Sequence, residues 1–124
     1  TLDLVERHVT AGRTTEELDR LAEAHIRRQG GKPAFKGYRG YPATLCVSVN
    51  EEVVHGIPGR RTLRPGDVVS VDVGVLLDGF YGDAARTIIV DGGGSEEARR
   101  LVEATQEALA AGIAKAVPGN RLSD

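Results

Sequence analysis

The chain has 124 residues, of which 40% are hydrophobic and 27% are charged, and its formal net charge at pH 7 is −2. This length and composition favour one soluble globular domain spanning residues 1–124. The small net charge gives no general electrostatic reason to expect nucleic acid or a membrane surface as a partner.

The localisation signals in the sequence are few but consistent. The longest apolar runs are far too short for a signal peptide or a membrane span. Cys46 is the single cysteine of the chain, so an internal disulfide is excluded. A lone thiol fits a reducing compartment, and we therefore expect a cytoplasmic protein.

Two helices are predicted near the start of the chain. Weak helical periodicity covers residues 2–11. The segment Thr14–Glu17 has the pattern of a capping box, which predicts a helix from Thr15 to Gln29. Gly30 and the glycine after it end that helix.

The middle of the chain is predicted to be extended but irregular. Residues 32–44 form a loop rich in Gly, Pro and Tyr, and residues 45–50 form a strand. Extended structure resumes over residues 53–55. Residues 56–67 then make an irregular connection with a turn at Pro65-Gly66.

A β-hairpin is the strongest local signal. Residues 68–77 and 80–90 read as strands, and the dipeptide Asp78-Gly79 between them favours a two-residue turn. Ser95 can cap a last helix that extends to about residue 116. Consecutive strands joined by short turns predict an α+β fold, in which an antiparallel sheet carries helices on one face.

Two aspartates, Asp72 and Asp83, interrupt the most hydrophobic stretch of the chain. With a two-residue turn, Asp83 lies opposite Gly74 and Asp72 lies opposite Ala85. The two carboxylates then share a face of the sheet as diagonal neighbours, with backbones about 7–8 Å apart. A shift of the turn by one pair would place them directly opposite each other.

Two anions this close repel each other unless something compensates their charge. A divalent cation between them is one solution. The alternative is a structural pair that accepts hydrogen bonds from backbone amides or pairs with Arg86. Spacing alone leaves both open, although Gly74 and Gly82 could leave the space that a ligand needs. His55, ahead of a rigid Gly-Ile-Pro segment, adds a third polar group.

Two segments carry a family resemblance. The run GYRGYPATLCVSVNEEVVHGIPG (residues 37–59) is followed by DVGVLLDGFYGDAART (residues 72–87). Together they resemble the type I methionine aminopeptidases, and the resemblance covers essentially the whole chain. It implies one half of a pita-bread fold, in which two similar α+β halves surround a dinuclear metal site. It also implies removal of the N-terminal Met from nascent polypeptides.

The resemblance assigns roles residue by residue. Asp72 is similar to the aspartate that binds one metal and Asp83 to the aspartate that bridges both. His55 is similar to the histidine that contacts the scissile peptide. Four further residues are similar to those in or near the pocket for the Met side chain: Phe35, Tyr38, Tyr41 and Cys46. The implied cofactors are two divalent ions, with Mn, Fe, Co and Zn all compatible with such ligands.

The rest of the family's metal ligands have no counterpart here. They are a His in a GHG motif and two Glu from the second half, whereas His8 and His25 match no ligand position. Ser123 and Asp124 are residues that often begin a helix. We therefore expect the chain to be the N-terminal half of the catalytic domain, with little activity alone. The alternatives are a self-associating half-domain, with a second copy as partner, or a non-catalytic peptide-binding or protein-binding module.

Overall fold

The computed structural model describes residues 1–123, so Asp124, part of the expected helix start, lies outside it. The helices are α1 (Leu2–Glu6), α2 (Thr15–Arg28) and α3 (Glu96–Lys115), and the strands are β1 (Lys32–Pro33), β2 (Leu45–Val49), β3 (Val68–Leu77) and β4 (Phe80–Ile89). Two compact units result, one spanning Thr1–Gly94 and one beginning at Ser95. Within the described residues, no helix is long and apolar enough to cross a membrane.

The first unit is built on an antiparallel sheet with β3 at its centre. Strand β4 pairs with β3 along its whole length, from Val68 opposite Ile89 to Leu77 opposite Phe80. Strands β1 and β2 share the other edge of β3. The predicted α+β class with an antiparallel sheet is confirmed.

Helix α2 begins where the sequence predicts. The Thr14 hydroxyl accepts a hydrogen bond from the Glu17 amide at 3.3 Å, and the Glu17 carboxylate accepts one from the Thr14 amide at 2.8 Å. This reciprocal pair satisfies two amides that the helix itself leaves without partners. The Ser95 hydroxyl caps α3 in a similar way, accepting from the Ala98 amide at 3.1 Å.

The core lies between one face of the sheet and the helices α1 and α2. Its buried residues come from both layers: Val5, Leu18, Ala22 and Ile26 from the helices, and Val47, Val49, Val69, Val71 and Val73 from the strands. Burial of these apolar side chains is the main stabilising contribution. The opposite face of the sheet, which carries Asp72, receives neither α1 nor α2.

Three local expectations were wrong. The first helix ends at Glu6 instead of running to residue 11. Residues 32–33, expected in a loop, form a short strand on β3. Residues 53–55, expected to be extended, form no strand, and Val53 is 86% exposed.

Candidate metal centre and pocket

The two aspartates lie in the register expected from a two-residue turn. Asp72 pairs with Ala85 across β3 and β4, and Asp83 pairs with Gly74. Since side chains alternate along a strand, both carboxylates project from the face away from α1 and α2. The diagonal arrangement is therefore correct, and the directly opposed one is not.

One carboxylate oxygen of Asp72 has no hydrogen-bond partner in the described part of the chain. Its Oδ1 atom is buried and accepts no hydrogen bond from the described residues. Burial raises the pKa of Asp72, and the Asp83 carboxylate raises it further, whereas His55 acts in the opposite sense. A buried carboxylate oxygen beside a second anion is a place where a cation would be strongly favoured.

Arg86 is not that cation, and the alternative in which it neutralises the aspartates is wrong. In the register it pairs with Val71, one residue out of phase with Asp72, so it projects from the other face. Its guanidinium binds the carboxylates of Asp3 (3.0 Å) and Glu6 in α1. Arg86 therefore joins β4 to α1 and does not neutralise the aspartate pair.

The two glycines beside the acids also differ from expectation. A Cβ on Gly74 would lie 2.4 Å from the Phe35 ring, so the space above Gly74 is already filled by an aromatic side chain. Gly82 has open space, but it pairs with Val75 and faces the other side of the sheet. The absence of a side chain at Gly74 therefore lets Phe35 approach β3 next to Asp83.

His55 is positioned by its neighbour in the chain. The Val47 amide donates to the Gly56 carbonyl at 2.9 Å, and the Gly56 amide donates to the Ser48 hydroxyl at 3.0 Å. His55 itself has a positive φ of 59° and is exposed. Two hydrogen bonds to β2 thus hold the segment that brings His55 to the aspartate face of the sheet.

Two further polar groups lie beside this segment, the half-buried Tyr41 and the buried Cys46. The Tyr41 hydroxyl lies 2.9 Å from the Leu45 carbonyl and 3.2 Å from the Gly56 carbonyl. Burial raises the pKa of the Tyr41 phenol, and burial likewise raises the pKa of the Cys46 thiol. Both side chains therefore stay neutral at pH 7, and Tyr41 keeps a proton to donate.

All seven residues singled out in the sequence line one pocket of about 570 Å³, together with Arg39, Gly40, Pro42 and Ile57. The four additional residues are not predicted from the sequence. Gly40, Pro42 and Ile57 belong to residue types that do not indicate chemistry by themselves, whereas Arg39 belongs to a type that can. Their position next to Tyr38, Tyr41 and His55 is the signal that could have found them. The pocket combines aromatic and apolar walls with two carboxylates on one side.

The residues of this pocket fit part of a divalent metal site. The orphaned Asp72 oxygen and the adjacent Asp83 supply oxygen ligands, which hard divalent cations prefer. Among the described residues, however, no group of three or more His, Cys, Asp or Glu side chains could hold a metal ion. The two aspartates could supply two ligands, and any further ligands of such a site would have to come from outside the described residues.

Comparison with known proteins places this arrangement in a class. A model of the metallopeptidase family M24 matches residues 1–124. The methionine aminopeptidase of Clostridium acetobutylicum is 51% identical over 125 residues, which cover 100% of this chain and 50% of that protein. Methionine aminopeptidase 1 of Bacillus subtilis is 48% identical over 120 residues, covering 97% of this chain and 48% of that protein.

Solved structures agree with the sequence comparison. The methionine aminopeptidase from Thermotoga maritima superposes with a TM-score of 0.88 at 44% identity, covering 94% of this chain and 46% of that one. The fold is therefore the pita-bread fold of those enzymes, of which this chain represents about half. The chain belongs to metallopeptidase family M24, and it spans about half the length of the curated relatives it matches.

Proposed function

We propose that this chain supplies the methionine pocket and two metal ligands of a methionine aminopeptidase. The observation that carries the proposal is the pairing of an orphaned, buried Asp72 oxygen with Asp83 at the side of an aromatic pocket. A peptide N-terminus that enters this pocket brings its first peptide bond towards the carboxylates. The reaction is hydrolysis of that bond after an N-terminal Met.

Each lining residue has a physical task in this proposal. Phe35, Tyr38 and Tyr41 offer aromatic surface to an unbranched thioether, and the neutral Cys46 thiol adds a polarisable contact. His55, held through Gly56, donates to or accepts from the peptide that is cleaved. Asp72 and Asp83 hold the cation.

Metal dependence follows from the family, whereas the number and kind of ions are part of the proposal. We propose two divalent ions, with Mn, Fe, Co and Zn as candidates. When bound, such ions polarise the substrate carbonyl and lower the pKa of a water. The chain holds them with Asp72 and Asp83 only, so we propose that a second half of the domain supplies the other ligands. The substrates would be nascent polypeptides in the cytoplasm.

Reconstitution tests this proposal directly. The chain is mixed with the C-terminal half of the Clostridium acetobutylicum relative and Mn²⁺, and Met release from Met-Gly-Ser is measured. We expect release from the mixture and none from either half. Asp72→Asn should abolish release, whereas Asp78→Asn, in the turn of the same hairpin, should not. No gain in the mixture over the separate halves would contradict the proposal.

A second candidate is self-association through β4. Among the described residues this strand pairs only with β3, so its outer edge offers unpaired backbone groups to another strand. Phe80 and Tyr81 on it are 80% and 73% exposed. A second copy paired here would bring four aspartates near one axis. Native mass spectrometry with and without Zn²⁺ decides, because a monomer unaffected by the ion would exclude this candidate.

A further inference from the structure

The segment that carries His55 leaves the sheet and is exposed. Val53 and Val54 are 86% and 66% exposed, and His55 is exposed with a φ of 59°. None of these three residues makes a hydrogen bond within the described part of the chain. A segment with so little burial and no hydrogen bonds has low local stability, so the position of His55 depends on what holds the two ends of the segment.

Glu52 begins this segment, and its carboxylate contacts the chain on both sides of it. Its Oε2 atom accepts a hydrogen bond from the Val49 amide at 2.9 Å, which ties Glu52 to the end of β2. Its Oε1 atom lies 3.2 Å from Nη1 of Arg61, which follows the segment in the chain. The carboxylate thus joins the last residue of β2 to the part of the loop that comes after His55.

The same carboxylate lies next to the residue that follows His55. A Cβ added to Gly56 would be 2.9 Å from Oε2 of Glu52, in addition to its close approach to the backbone of β2. The space beside Gly56 is therefore bounded by the Val47 carbonyl and by the Glu52 carboxylate. A change at Glu52 removes one of these two boundaries directly beside His55.

Glu51, the neighbouring acid, has only one of these contacts. Its Oε1 atom lies 3.5 Å from the same Arg61 nitrogen, but its side chain is 78% exposed. Among the described residues, no backbone amide donates a hydrogen bond to the Glu51 carboxylate. The two glutamates therefore place the same charge near Arg61, and Glu52 differs by also contacting the backbone on both sides of His55.

We propose that Glu52 is a positioning residue for His55, which it orients by closing the loop of residues 50–61 against β2. This inference rests on the proposed function, in which His55 forms a hydrogen bond with the peptide that is cleaved. An imidazole makes such a bond only within a narrow range of distance and direction. If the segment is ordered before the peptide arrives, less of the binding free energy is lost in ordering it.

The role of Glu52 is tested first in the full chain without substrate. The heteronuclear Overhauser effect of the backbone amides of residues 53–55 reports their picosecond-to-nanosecond motion, and in the wild type we expect values close to those of β2. Glu52→Ala should lower these values. Glu52→Gln should lower them less, because its amide oxygen can still accept from the Val49 amide. Glu51→Ala is the matched control and should leave them unchanged. Unchanged values in Glu52→Ala, or an equal fall in Glu51→Ala, would overturn the inference.

A double-mutant cycle then shows whether Glu52 acts through His55. The affinity for amidated Met-Gly-Ser is measured by NMR titration for the wild type, Glu52→Ala, His55→Ala and the double variant. We expect Glu52→Ala to weaken binding about 3- to 10-fold when His55 is present, the range of one hydrogen bond, and to have no further effect when His55 is absent.

The outcomes of the cycle separate this inference from the proposed function. If Glu52→Ala has no effect on affinity, or weakens binding equally with and without His55, the inference is overturned and the proposed function stands. If the wild-type chain does not bind the peptide, the proposed function is overturned instead, and the amide measurement alone decides whether Glu52 positions His55.

Discussion

Gly56 approaches the Val47 carbonyl so closely that a Cβ added to it would lie 2.2 Å from that oxygen. Such a distance is far below van der Waals contact, and the obstructing atom belongs to the backbone of β2. The same two residues are joined by the hydrogen bond from the Val47 amide to the Gly56 carbonyl. Residue 56 must therefore be glycine if the loop carrying His55 is to stay against β2.

Gly56→Ala should lower the free energy of unfolding by about 1–3 kcal/mol, because the loop has to move away from β2. It should also weaken binding of Met-containing peptides, since His55 moves with the loop. Urea denaturation and NMR titration measure the two effects. Gly59→Ala is the matched control: the nearest obstacle to its Cβ is 4.0 Å away, and its φ is not in the left-handed region. Equal losses in both variants would contradict the argument.

Metal binding should stabilise the chain through the aspartate pair. A divalent ion present at about 100 times its dissociation constant adds about 2.7 kcal/mol to the free energy of unfolding. We expect Zn²⁺ or Mn²⁺ to raise the thermal midpoint of the wild-type chain. Asp72→Asn and Asp83→Asn should each remove that increase.

Asp78→Asn is the control for this prediction, because Asp78 is exposed in the turn of the same hairpin and Asn tolerates its φ of 51°. It should respond to metal like the wild type. Without metal, Asp72→Asn should be at least as stable as the wild type, since it removes one of two neighbouring anions. A metal response that survives in both site variants would place the ion elsewhere.

The parts of the site that follow from local chemistry could be predicted from the sequence. The Asp78-Gly79 turn defines the register of the hairpin, and that register alone brings Asp72 and Asp83 together. The same register places Arg86 on the other face. Proximity along the chain alone instead suggests Arg86 as a partner of the aspartates.

Long-range contacts are the part that the sequence could not provide. Phe35 covers Gly74 only because residues 32–33 pair with β3, and a two-residue strand has no periodicity to detect. The sequence motif that contains Arg39 indicates no role for it, because the absence of an acidic partner among the described residues depends on the folded loop. The exposure of Val53 has the same origin, since its apolar character predicted burial and a strand.

A buried hydroxyl should be a site where stability can be increased. Thr44 is fully buried, and its Oγ1 has no hydrogen-bond partner among the described residues. Thr44→Val keeps the shape and removes the unsatisfied group, so the free energy of unfolding should rise by about 1 kcal/mol. Urea denaturation measures this change in the free energy of unfolding.

Thr15→Val is the matched contrast for Thr44→Val. The Thr15 side chain is also buried, but its hydroxyl donates to the Gly59 carbonyl at 3.1 Å and accepts from the Gly59 amide at 2.9 Å. Its replacement should lower the free energy of unfolding by about 1–3 kcal/mol, because both backbone groups lose a partner. A loss of stability in both variants would show that the Thr44 hydroxyl has a hydrogen-bond partner.

Asp19 is a buried carboxylate that supports the start of β2. Its Oδ1 accepts hydrogen bonds from the Thr44 amide at 2.9 Å and the Leu45 amide at 2.8 Å. Burial raises the pKa of Asp19, and this effect outweighs the lowering by the two amides. Asp19→Asn can keep both hydrogen bonds without a charge, whereas Asp19→Ala leaves two amides without an acceptor.

The raised pKa of Asp19 determines whether its contribution to stability rises or falls with pH. The folded chain holds the Asp19 proton more tightly than the unfolded chain, so the contribution of Asp19 to stability falls as pH rises from its unfolded pKa through its folded pKa. Asp19→Asn does not titrate and should gain stability relative to the wild type as the pH is raised from about 4 to about 8. Asp19→Ala should be less stable than Asp19→Asn at every pH, by about 1–3 kcal/mol for each orphaned amide. Urea denaturation of the three proteins across this range tests the argument, and a constant difference between wild type and Asp19→Asn would contradict it.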